Sequence, residues 1–127
     1  MAKVESSIVL AADDPAALAS FYGGLVGVEA QRGLSERHWR LPWPAGGFLE
    51  IYAPSRSRPL PRQCGRLAPC LQRRAAGADP MALLEEWVQE ATTLGASCPD
   101  ALRREAFGAE AWLLDPEGNR LLLLLVA

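Results

Sequence analysis

Asp115-Pro116-Glu117-Gly118-Asn119-Arg120, followed by Leu121-Leu122-Leu123-Leu124-Leu125-Val126, is the stretch whose reading decides the fold. Pro116 presets φ for an early turn position, while Gly118 and Asn119 tolerate the φ > 0 that closing a tight turn demands. The turn therefore joins two strands of a hairpin: Ala111 to Leu114 before it and the leucine run after it. A leucine run without polar alternation predicts a central strand covered on both faces, because an exposed row of leucines leaves an aggregating edge. Other elements of the chain must supply that cover.

Working outward, Ser7 to Ala12 reads as a short apolar first strand. Asp14 then stands where an N-cap is wanted, with Pro15 at the first helical position and Leu18, Phe21, Tyr22 and Leu25 at helical spacing. Gly23-Gly24 and Gly27 predict its end. Val28 to Gln31, Arg37 to Leu41 and Gly47 to Tyr52 read as three further strands, with Pro42, Pro44 and Gly46-Gly47 marking the turn between the last two. The order is βαβββ, and it then restarts. Leu67 to Arg73 reads as a strand, Asp79-Pro80 caps a helix through Ala91 that Gly95 ends, and a weaker strand near Ala101 to Glu105 precedes the hairpin. Asp14-Pro15-Ala16-Ala17-Leu18 laid on Asp79-Pro80-Met81-Ala82-Leu83 agrees at four of five positions with an offset of 65, and Tyr22 then falls on Trp87. Such internal similarity predicts two copies of one module: about 5–53 and about 66–127, joined by a linker over about 54–65.

Composition narrows the function classes. A chain of 127 residues, half of it hydrophobic, with a net charge of −2, suits one domain with a substantial core and no affinity for nucleic acid or membrane surfaces. The polar start Met1-Ala2-Lys3-Val4-Glu5 lacks the apolar run of a signal peptide, and the leucine run is too short to span a bilayer, so a cytoplasmic location is expected. Cys64, Cys70 and Cys98 form an odd set without Cys-x-x-Cys spacing, which suits reduced thiols. Arg56, Arg58, Arg62 and Arg66, with Arg73-Arg74, gather around the linker without the interleaved aromatics of a nucleic-acid footprint. They read as a solvated linker or as a surface facing an acidic patch on a dimer partner. Trp43, between two prolines, is a second candidate for a dimer contact.

Asp14-Pro15-x-Ala-Leu-x-x-Phe21-Tyr22-x-x-x-x-Gly27 and Leu113-Leu114-Asp115-Pro116-Glu117-Gly118-Asn119-Arg120 resemble the two signature stretches of the vicinal oxygen chelate superfamily, the glyoxalase and bleomycin-resistance family. The resemblance implies an α+β fold in which two βαβββ modules form a curled mixed-sheet cup, often in a homodimer that exchanges modules. Metalloenzymes of that family hold a divalent ion with one side chain from each of four strands. The first is a His seven residues before the aspartate that opens the first helix, and Ser7 stands there. Glu50 matches the second. The strand before Asp79 should give the third, yet residues 51–78 contain no His, Asp or Glu; Leu122 stands where the last should be. One ligand of four does not hold an ion that wants at least three converging donors. No metal and no cofactor are expected.

The period of two that turns Glu50 inward brings Phe48 and Tyr52 with it. His38 and Arg40 share one face of the third strand, with Trp39 and Leu41 on the other, and the sequence leaves open which face is inside. The candidate ligand-binding set is Ser7, His38, Arg40, Phe48, Tyr52 and Trp112, with Glu50 the candidate catalytic residue. A cup so lined suits a small, partly aromatic or cationic organic molecule. The aromatics equally suit core packing, and Glu50 is either a general acid or base or half of an ion pair with Arg40 or Arg73. Three functions stay open: the first is metal-free binding of a small organic molecule by a homodimer, the second an isomerase or lyase reaction using Glu50 as general acid or base, and the third a structural role with the cup filled by leucines such as Leu122 and Leu124.

Overall fold

Two aspartates set the frame. Asp14 accepts the amide of Ala17 at 3.1 Å and starts helix α1 (Pro15–Val26), while Asp79 accepts the amide of Met81 at 3.4 Å and starts helix α2 (Pro80–Leu94). In each case the side chain satisfies an amide that has no partner inside the helix, and proline occupies a position that needs none. The structure, a computed structural model, describes residues 5–56 and 67–127.

The strands are β1 (Ser7–Ala11), β2 (Gln31–Arg32), β3 (His38–Pro42), β4 (Phe48–Tyr52), β5 (Cys70–Arg74), β6 (Arg103–Glu105), β7 (Gly108–Leu114) and β8 (Arg120–Val126). They form two four-stranded mixed sheets in orders β1-β4-β3-β2 and β5-β8-β7-β6, with β1–β4 and β5–β8 parallel and the other pairs antiparallel. The chain divides into two units, residues 1–62 and 63–127, each a βαβββ module with the same strand order. Among the described residues no helix is long and apolar enough to cross a membrane.

Helix α1 does not stop at Gly23-Gly24 but runs to Val26 and is closed by Gly27 at φ 75°. Gly23 serves packing instead: a Cβ there would stand 2.8 Å from the Val28 carbonyl oxygen, so glycine lets the returning chain pass close to the helix. That return also delays the second strand, which forms at Gln31–Arg32 rather than from Val28. The strand expected from Leu67 likewise begins at Cys70.

The leucine strand β8 is central in its sheet, between β5 and β7. Its two faces differ, contrary to the expectation of full cover. Leu121, Leu123 and Leu125 are fully buried beneath α2, whereas Leu122, Leu124 and Val126 are half-buried. Burial on one face is enough to fix the register, since a slip of one residue would exchange the two sets. The turn before β8 is held by Asp115, itself buried, which accepts the amides of Glu117 and Asn119 at 2.9 Å and the Asn119 side-chain amide at 2.9 and 3.1 Å. Gly118 supplies the positive φ of 84°; Asn119 contributes through its side chain.

Candidate functional site

In the first unit, cross-strand pairing puts Val9, Glu50 and Arg40 in one row, Ala11, Tyr52 and His38 in the next, and Ser7, Phe48 and Pro42 in a third. These rows share a face. Leu41, Leu49 and Ile51 point the other way and are fully buried against α1. The pleat therefore decides the open question about β3: His38 and Arg40 stand with Glu50 and Tyr52, and Trp39 stands with the core leucines.

Glu50 meets both basic neighbours. Its Oε1 lies 2.8 Å from His38 Nε2 and its Oε2 lies 3.3 Å from an Arg40 guanidinium nitrogen, with about a fifth of the Glu50 side chain exposed. Arg40, not Arg73, is its ion-pair partner. Arg73 belongs to the second unit, where it faces Glu90 at 3.6 Å and covers the Trp87 ring. Arg40 also lies over Phe48, its guanidinium carbon 3.9 Å from the ring centroid, which holds the guanidinium in place between carboxylate and aromatic face.

The other side of the imidazole is fixed as well. The Leu34 amide donates to His38 Nδ1 at 2.8 Å. An amide only donates, so Nδ1 is the bare nitrogen and the hydrogen sits on Nε2, where it is donated to Glu50. The segment that delivers this amide is itself tied down: Gly33 donates to the His38 carbonyl at 2.7 Å, the His38 amide to the Ser35 carbonyl at 3.2 Å, and the Arg37 amide to Ser35 Oγ at 3.2 Å. The next anchor is Ala53, whose amide donates to the Arg37 carbonyl at 3.0 Å.

Above this floor is an open pocket of about 800 Å³. Val9, Leu34, Tyr52, Ala53 and Pro54 give it apolar and aromatic wall; Ser7, Ser35 and Ser55 give hydroxyls; Arg37, His38 and Glu50 give the ionisable groups. This is the mostly apolar concavity with few polar anchors that small-molecule sites adopt. Of the residues singled out in the sequence, Ser7, His38, Glu50 and Tyr52 line it. Arg40 and Phe48 share the face but lie outside the lining. Trp112 belongs to the second unit, half-buried on β7 opposite Leu122.

The loop Gly33 to Arg37 and the segment Ala53 to Ser55 are not among the residues singled out in the sequence, because strand alternation is silent about loops; the turn residues Gly33, Ser35 and Pro54 were the available signal. Trp43 is half-buried with its ring 6.1 Å from that of Tyr22, so part of its surface is used within its own module. Cys70 and Cys98 are free thiols, and burial pushes both up from the ordinary thiol range, with Asp100 adding to the effect at Cys98. Neither lines the pocket beside His38. Cys64 and most of the arginine-rich linker lie outside the described residues.

The model of the family described as a glyoxalase-like domain matches residues 7–124. Among solved structures, a glyoxalase/bleomycin resistance protein/dioxygenase family enzyme from Burkholderia phytofirmans PsJN is similar at 18% identity, covering 96% of this chain and 98% of that one with a TM-score of 0.73. A glyoxalase-related enzyme from Fulvimarina pelagi is similar at 16% identity, with coverage of 98% and 88% and a TM-score of 0.74. A lactoylglutathione lyase from Agrobacterium tumefaciens is similar at 20% identity, with coverage of 98% and 94% and a TM-score of 0.59. At such identities the likeness is one of fold. No curated protein matches the chain.

The donor set in the pocket does not fit a divalent ion of the kind some relatives of this fold use. Both His38 nitrogens are engaged, both Glu50 oxygens face hydrogen-bond donors, and Ser7 offers only a hydroxyl. Among the described residues no three of His, Cys, Asp or Glu stand close enough together to hold a metal ion.

Proposed function

The chain belongs to the glyoxalase-like domain family, and from that premise we propose that it is a metal-free binding protein that takes up a small organic molecule in the pocket of its first module, working as a cytoplasmic homodimer. The observation that carries this reading is the open pocket of about 800 Å³ whose floor carboxylate, Glu50, is already matched by Arg40 and His38. A neutralised, hydrogen-bonded floor orients a ligand without being consumed by it. Free thiols at Cys70 and Cys98 accord with the reducing location.

Catalysis by Glu50 as a general acid or base is the weaker reading, on geometry. Two of the roughly four acceptor sites of the Glu50 carboxylate are taken by His38 and Arg40, which leaves it less free to take a proton from a substrate. A His38–Glu50 dyad would need the second imidazole nitrogen to reach the substrate, and that nitrogen accepts the Leu34 amide. The filled-cup reading has no support in the first module, where the pocket is open.

Native mass spectrometry of the protein as purified tests the proposal in one spectrum. The expected result is a dimer without bound metal that carries an organic adduct, lost on substituting Glu50→Gln or Tyr52→Ala. A divalent ion on each chain overturns the metal-free reading.

A further inference from the structure

The charge of the pocket points to the class of its ligand. Glu50 is the one carboxylate among the described residues that line it, and Arg40 at 3.3 Å offsets its charge. Arg37 is placed differently. Its backbone is fixed on both sides, its amide donating to Ser35 Oγ and its carbonyl accepting from the Ala53 amide, and the exposed residue is part of the pocket lining. The ion pairs between described residues run to other arginines or to His38: Arg32 with Glu36, Arg40 and His38 with Glu50, Arg73 with Glu90, Arg103 with Glu105 and Glu110, Arg104 with Asp79. Residues 1–4 and 57–66 contain no Asp or Glu. The adjacent Glu36 is turned to Arg32 at 3.8 Å. Arg37 thus brings a positive charge to the pocket with no carboxylate of its own chain to answer it.

The apolar wall beside it is exposed too: Leu34 is 83% and Val9 59% exposed. Apolar surface next to an unanswered guanidinium fits a molecule with a flat or branched apolar body and an anionic end. We propose that the pocket selects a small organic carboxylate, with Arg37 as the residue that recognises the carboxylate and Tyr52, Val9 and Leu34 receiving the body. This rests on the binding reading above. Of the partly aromatic or cationic ligand expected from the sequence, it keeps the aromatic body and departs from the cation, for which Glu50 would have to present an uncompensated charge. A guanidinium meets a carboxylate with two parallel hydrogen bonds, so the recognition is geometric as well as electrostatic.

The test is an amide NMR titration of the full chain with benzoate, benzamide and benzylamine, three probes of matched ring and size. Benzoate should bind about fivefold or more tightly than benzamide, the scale of a solvent-exposed ion pair with good geometry, and benzylamine should bind weakest. Arg37→Gln should lower benzoate affinity to that of benzamide and leave benzamide unchanged, while Arg37→Lys retains part of the preference. Raising the salt should weaken benzoate alone. Benzamide or benzylamine binding as tightly as benzoate, or benzoate indifferent to Arg37→Gln, overturns the carboxylate preference; shifts mapping to residues 34–38 and 50–55 would then leave the binding reading in place. No shift at those residues with any of the three probes overturns both.

Discussion

Gly33→Ala should dismantle the His38 arrangement from outside the ring. A Cβ at residue 33 would stand 2.5 Å from His38 Cε1, 2.6 Å from Cγ and closer still to Nδ1. The backbone itself is no obstacle, since Gly33 is not among the residues with positive φ. The imidazole therefore has to rotate away, and the cost is what it abandons: the Leu34 amide bond, about 1 kcal/mol net, and the bond to the Glu50 carboxylate, about 1.5–3 kcal/mol. Alanine returns about 0.4–1 kcal/mol by restricting the unfolded chain. The net destabilisation is about 2–3 kcal/mol, or roughly 8–12 °C in Tm for a domain of this size. Urea denaturation of the wild type, Gly33→Ala, His38→Ala and the double variant separates the causes. With His38 already gone, Gly33→Ala should be slightly stabilising, giving a coupling of about 2.5–4 kcal/mol, the worth of the two abandoned bonds. The imidazole ¹⁵N spectrum of the wild type should show Nε2 protonated and Nδ1 bare, a preference weakened in Gly33→Ala. If Gly33→Ala costs the same with and without His38, the reasoning is refuted.

Three more outcomes follow from the same geometry. Hydrogen bonds from Arg104 at 3.0 and 3.3 Å hold the Asp79 carboxyl below the usual carboxylate range; a depressed folded value stabilises fully above the unfolded value of ~3.9 and is lost as pH falls through the folded one. Chemical denaturation should thus find the wild type more stable than Arg104→Ala near pH 6, with the two converging in acid. On β8, Leu123→Ala, at a fully buried position, should cost about 3 kcal/mol and Leu124→Ala, half-buried on the opposite face, about 1, in the same urea assay; equal costs would contradict the two-faced strand. Asp115→Ala should cost about 2–3 kcal/mol by leaving the amides of Glu117 and Asn119 without their acceptor, read as a lower urea midpoint.

Much of the architecture was legible because its signals are local. Asp14-Pro15 and Asp79-Pro80 mark helix starts through chemistry that needs no tertiary context, and their repetition at a fixed offset exposed the duplicated module. Gly23 was misread because a glycine that permits close chain approach and one that ends a helix look alike in sequence. The leucine run hid its two faces, since identical residues carry no alternation to read.

The site divides in the same way. Glu50 stood out as a carboxylate in an apolar strand, and period two correctly tied Phe48 and Tyr52 to its face. His38-Trp39-Arg40-Leu41 offered a large side chain to each face, so only the pairing of Arg40 with Glu50 settled its orientation. Arg37 and the amide of Leu34 were not legible, because their roles depend on how a loop folds back over β3 and no periodicity encodes that.

The measurement that tests the central claim most directly is a fragment titration followed by amide NMR, run once with a chelator and once with added zinc or nickel. Ligand shifts confined to residues 34–38 and 50–55, the same in both conditions, are the predicted result. Binding that appears only when the divalent ion is present, or that maps away from those residues, would contradict it.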